Sequence, residues 1–163
     1  MGRDWILWVL VAATGIHVVE EHALGWQGWA ATVIGPRLGV VFTWTDFWAT
    51  NGALVVLGVS CAATGWRAPA FALGLPALAL INALGFHVAP SVIAKRPNPG
   101  LFTALLLYLP LGTWCYIAAG EDHRLSVLTV IGSMLIGAAA MASAVLIPRL
   151  GKSFRYPDAS APA

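Results

Sequence analysis

The sequence predicts an all-α polytopic membrane helix bundle, with about five transmembrane helices and an interfacial segment between the first and second. Three observations lead there. The 163-residue chain is 59% hydrophobic, with a mean hydropathy of +0.79. Only 10% of it is charged, against about 25% in a soluble domain whose surface must be solvated. Its apolar runs are about 20 residues long, enough for a helix to cross a hydrocarbon core about 30 Å thick. The lipid bilayer is therefore the first partner the composition implies. A net charge of +2 is too small to argue for nucleic acid.

The first span runs from about Trp5 to His22, with Arg3 and Asp4 at its start and Trp5 and Trp8 suited to the membrane interface. It is too long for a signal-peptide core, and Glu20-Glu21-His22 makes a poor small-residue cleavage site, so it is expected to be retained. From Ala23 to Val41 the chain stays apolar but is broken by Gly25, Gly28, Gly35 and Pro36. Together with Trp26, Trp29 and Arg37, these breaks suit a segment lying at the interface. The second span is about Phe42 to Gly65, and a turn at Arg67-Ala68-Pro69 leads into the third, about Ala70 to Ala94. Pro97-Asn98-Pro99-Gly100 is a tight connection in which Asn98 suits a helix cap and Pro99 a first helical turn. The fourth span is about Leu101 to Ala119, with a kink expected at Pro110. Gly120 to Arg124 forms a polar loop in which His123 is expected to be solvated. The fifth span is about Leu125 to Ile147. Residues 1–150 thus form one transmembrane helical domain, and 151–163 read as a disordered cytoplasmic tail. Cys61 and Cys115 are isolated in apolar segments and read as packing residues.

Five spans put the termini on opposite sides. One side carries Arg3, Arg67 and Arg124. The other carries Arg37, Lys95, Arg96, Arg149, Lys152 and Arg155. The positive-inside rule makes the richer side cytoplasmic. The chain is expected in the plasma (inner) membrane, N-terminus outside and C-terminus inside. A sixth crossing by Ala23 to Val41 would overturn this orientation.

The polar residues sort by depth. His17, Glu20, Glu21 and His22 end the first span, Asp46 and Asn51 open the second, His87 lies near the end of the third, and Pro97 to Thr103 open the fourth. All fall in the cytoplasmic half. Ionisable groups inside a membrane mark functional sites by default. His17 lies three and four residues before Glu20 and Glu21, so it meets either on one helix face. Two acids at a helix C-terminus, where the backbone dipole favours cations, are unfavourable without a partner. A metal ion, or a base such as Arg96 from another helix, would resolve this. Asn82 and His87 are five residues apart, about 140° around an ideal helix, so both face inward only if that helix is distorted; a kink is expected at Pro90, beside His87.

The motif His17-Val18-Val19-Glu20-Glu21, with the Asn82 to His87 stretch, Asn98-Pro99-Gly100-Leu101-Phe102-Thr103-Ala104 and Pro110, resembles the HXXEE family of small integral membrane proteins over roughly residues 10 to 115. The resemblance implies a membrane protein of suspected enzymatic activity and supplies no reaction.

From the residues themselves, the first reading is an integral membrane metal-dependent enzyme acting on a lipophilic small molecule at the cytoplasmic-leaflet end of the bundle. His17, Glu20, Glu21 and His87 would ligate zinc, iron or manganese, a mixed nitrogen and oxygen shell. Glu20 and His87 would serve acid–base chemistry, and Asp46, Asn51, Asn82 and Thr103 would complete the pocket. The alternatives are a non-catalytic membrane subunit and a proton- or ion-coupled transporter. Against the transporter, the ionisable groups do not continue to the outer face and no inverted repeat is visible. Nothing in the sequence sets an oligomeric state.

Overall fold

In the computed structural model, which describes residues 2–150, five helices are long and apolar enough to cross a membrane. They are α1 (Arg3–Ala23), α2 (Trp44–Arg67), α3 (Pro69–Ala94), α4 (Leu101–Glu121) and α5 (Val127–Leu150, apolar through Leu146). The described residues contain no strand. The tail expected at 151–163 lies outside the described residues.

The buried residues of α1 are Ile6, Leu7, Leu10, Ala13, Thr14, His17, Val18 and Glu21, the three-and-four spacing of a single helical stripe. That stripe faces α2, α3 and α4. The periodicity that buries Leu7 and Leu10 therefore carries His17 and Glu21 into the bundle as well. In a bilayer, helices associate by close packing and hydrogen bonding rather than by escape from water. Gly137 shows the principle on α5: a Cβ there would lie 2.6 Å from the Leu78 backbone nitrogen and 2.8 Å from the Ala77 Cβ of α3. Beyond this seam α5 is mostly exposed to lipid, with Val127 and Leu128 among its open residues.

The chain between α1 and α2 forms short helical pieces, Trp26–Trp29, Ala30–Ile34 and Gly35–Leu38. Left-handed Gly25 and Gly39 bound it, and it is not among the five membrane-length helices. A reciprocal capping box then starts α2. The Asp46 amide donates to Thr43 Oγ1 (3.1 Å), and Asp46 Oδ2 accepts from the Thr43 amide (2.9 Å).

Three π-helical stretches interrupt the chain: Ala30–Ile34, Ala83–Val88 and Ala104–Tyr108. Each ends two residues before a proline, at Pro36, Pro90 and Pro110. Proline has no N–H to return to the carbonyl four residues back, and its ring crowds that carbonyl. A local i→i+5 ladder relieves both problems while letting the helix continue. The expected kinks at Pro90 and Pro110 thus appear as wide turns just upstream of each ring.

At the end of the bundle away from His17, Asp122 accepts from the Arg3 amide, from Arg3 Nη1 (2.8 Å) and from Trp66 Nε1 (2.8 Å). Arg3 Nε also pairs with Glu121 at 3.0 Å. The Arg3 amide, helped by the Trp66 and Arg3 side chains, holds the Asp122 carboxyl below the usual carboxylate range. The polar loop is a clasp between α1, α2 and α4. His123 is exposed in it, with a left-handed φ of 55°.

Candidate metal centre

His17 and Glu21 stand one turn apart on the buried stripe of α1, and His87 reaches them from the π-turn of α3. Glu21 Oε1 lies 3.7 Å from His17 Nε2 and 3.5 Å from His87 Nε2. The imidazoles meet edge to face at a centroid distance of 4.8 Å. Exposure is 2% for His17, 1% for His87 and 6% for Glu21. Three metal-capable side chains from two helices share one buried point.

The surrounding hydrogen bonds decide which ring nitrogens carry protons. Asn98 Nδ2 donates to the Phe86 carbonyl (2.9 Å), which turns Asn98 Oδ1 toward His87 Nδ1 (3.3 Å). An amide oxygen only accepts, so His87 holds its proton on Nδ1. On the other ring, His17 Nδ1 lies 2.7 Å from Thr103 Oγ1, and that hydroxyl is 3.3 Å from the Gly100 carbonyl. Both contacts are satisfied when Thr103 donates to the carbonyl, which also accepts from the Ala104 amide (2.9 Å), and His17 donates through Nδ1. In that tautomer each neutral ring offers a bare lone pair at Nε2. Neither Nε2 has a hydrogen-bond partner.

Two lone pairs and a carboxylate oxygen facing one another repel. A single proton on Glu21 reaches at most one ring, and 3.5 to 3.7 Å is too long for a hydrogen bond. A cation at the shared point satisfies all three donors at once. The two distances from Glu21, 3.7 and 3.5 Å, come close to the about 3.4 Å between donors around a tetrahedral zinc with bonds of about 2.0–2.1 Å. The candidate ligand atoms of His17, Glu21 and His87 all fall within 4.8 Å of one another. Nδ1 hydrogen bonds that fix the ring and leave Nε2 free are the usual support for metal-binding histidines.

Glu20, the remaining acid of the motif, points elsewhere. Its Oε1 accepts from the Phe102 amide (3.1 Å) and its Oε2 from the Thr103 amide (2.7 Å). These are unpaired amides of the first turn of α4, where a carboxylate is favoured by the helix dipole. The acid that seemed uncompensated on α1 is compensated by another helix. Glu20 therefore stands outside the three-residue cluster, and Thr103 links the two by supporting His17.

Asp46, Asn51 and Asn82 line one cavity of about 360 Å³ together with Glu21 and His87. Asp46 is engaged in its capping box, Asn51 donates to the Phe47 carbonyl (3.0 Å), and Asn82 Nδ2 lies 3.9 Å from Met141 Sδ. The π-turn between Asn82 and His87 is the distortion that their five-residue spacing required. His22, exposed, stacks among Trp44, Phe47 and Trp48.

Three further residues shape the site in roles that the sequence pattern does not announce. Asn98 is not the side-chain cap of α4; Gly100, at φ 92°, precedes that helix. Asn98 instead donates to the Phe86 carbonyl, the one that Pro90 deprives of its usual i+4 donor. That deprivation is readable four residues before any mid-helix proline. Gly100 packs on both rings: a Cβ there would lie 2.9 Å from His17 Cε1 and 2.9 Å from His87 Nδ1. Tyr108, buried in the π-turn of α4, stacks on His17 at 4.3 Å.

A family model described as a protein of unknown function with HXXEE motif matches residues 8–115. No curated protein and no solved structure matches the chain.

Proposed function

The chain belongs to the HXXEE family, whose function is unknown, and we propose that it is a metal-dependent membrane enzyme holding one divalent cation between His17, Glu21 and His87. The observation that carries this reading is the pair of buried, unpartnered Nε2 lone pairs converging on one carboxylate oxygen. Two histidines and one carboxylate with open positions suit catalytic zinc and non-haem iron alike, and manganese accepts the same donors. A bound cation of this kind supplies Lewis-acid activation of an oxygen on water, dioxygen or a substrate.

The chain's own residues do the rest. In this reading the first and last letters of the motif, His17 and Glu21, are ligands. The middle acid, Glu20, clamps α1 to α4 and so holds His17 against Thr103. His87, a ligand here, takes no acid–base role, because its Nδ1 proton is committed to Asn98. Burial of the cluster keeps bulk water away, and the apolar cavity beside it suits a lipophilic substrate. The excess of Lys and Arg in the sequence on this side supports a site at the cytoplasmic leaflet.

Elemental analysis of detergent-purified protein tests the reading, alongside His17→Ala and Glu21→Gln variants. Near-stoichiometric zinc, iron or manganese in the wild type and its loss in both variants is the expected result. Metal-free wild type that cannot be loaded, with folded variants, overturns it and favours a relay or a purely structural cluster.

A further inference from the structure

The cavity beside the cluster has a shape and a polarity gradient of its own. Along α2 it runs from Asp46 to Leu57, and along α3 from Leu78 to His87. At 1.5 Å per residue these stretches are about 14 to 16 Å long. A cavity of about 360 Å³ drawn out over that length is an elongated trough rather than a round chamber, the shape of an extended hydrocarbon chain.

Its ionisable groups gather at one end, where Glu21, Asp46 and His87 lie with Trp26 and Phe42, and the amides of Asn51 and Asn82 line its middle. The other end, at Leu54, Leu57 and Leu78, is wholly apolar and points toward the middle of the bilayer. The trough lies between α2 and α5. Both rest on α3, but α5 packs along α3 and barely meets α2. Small side chains, Ala53 on α2 and Ala140 and Ala144 on α5, line the gap. A dissolved lipid can therefore enter sideways without crossing water.

We propose that this trough binds a linear single-chain amphiphile, fatty or isoprenoid in type. It would enter laterally between α2 and α5 and place its polar end at Glu21 and His87. The proposal rests on the metal reading only for what happens at that polar end. Recognition of the chain depends on the trough alone.

The test uses full-length protein in phospholipid vesicles, a photoactivatable diazirine analogue of palmitic acid and, as competitors, palmitic acid and cholesterol. Label is expected on α2 and α5 near Ala53 and Ala144, competed by palmitic acid and not by cholesterol. Ala53→Trp and Ala144→Trp, which fill the trough, are expected to cut labelling roughly tenfold, since displacing even two methylenes is worth that much. Metal content should be unchanged in both. Label outside the trough, equal competition by cholesterol, or undiminished labelling in folded Trp variants overturns the proposal. Mapping on the wild type decides the matter even if both variants misfold. Trough labelling in protein that binds no metal would leave this inference standing and refute the metal reading; metal binding without labelling would do the reverse.

Discussion

Asn98→Ala removes the side chain that sets the His87 tautomer and touches no candidate ligand atom. Two side-chain hydrogen bonds go: Nδ2 to the Phe86 carbonyl at 2.9 Å and Oδ1 to His87 Nδ1 at 3.3 Å. Each neutral bond is worth about 1 kcal/mol, so the expected loss of stability is about 1–2 kcal/mol, read by thermal unfolding in detergent. His87 is then free to rotate or to change tautomer. Loss of such a supporting hydrogen bond lowers metal affinity by about 10–100-fold, read by competition with a chelator. Asn98→Asp separates the effects: it still accepts from His87 Nδ1 but cannot donate to Phe86, so stability should fall while metal affinity is largely kept. A folded Asn98→Ala protein that binds zinc as tightly as the wild type would refute the claim that His87 is presented through Nε2.

Further outcomes follow from the same geometry. Gly100→Ala should destabilise by about 1–2 kcal/mol from its left-handed backbone alone and lower metal affinity further, since the new methyl meets both imidazoles; chelator competition and unfolding read both. Glu20→Gln should lose about 1–3 kcal/mol of stability, having weakened two charge-assisted bonds to the start of α4, yet keep its metal; metal loss at unchanged stability would make Glu20 a ligand instead. Asp122 is held below its ordinary value of 3.8, mainly by the Arg3 amide. Its contribution is therefore present above that value and lost as the pH falls through its folded-state value. Acid unfolding of the wild type should show a component that Asp122→Asn lacks.

The fold was legible because its main signals are local. Apolar runs of membrane length and the broken Ala23 to Val41 stretch each act within one helix or turn. The pairing of His17 with Glu21 was legible for the same reason, since four residues on one helix share a face. Long-range pairings were less so. Glu20 resembles a ligand on its own helix, and its partners are amides more than 80 residues away on α4. The inward turn of both Asn82 and His87 needed the π-segment, whose cause, Pro90, was visible but whose form was read as a kink. Asn98 stands just before a helix, where a cap is expected, but its side chain donates across the chain to the Phe86 carbonyl. The clasp at Asp122 joins three segments that no spacing rule connects.

The central claim is that two imidazoles and one carboxylate hold a single divalent cation. X-ray absorption at the metal edge of zinc-loaded, detergent-purified protein tests it most directly. The account predicts two imidazole nitrogens at about 2.0–2.1 Å with oxygen donors at about 2.0–2.2 Å, and one imidazole fewer in His87→Ala. A shell without imidazole, or one containing thiolate sulfur at about 2.3 Å, would contradict it.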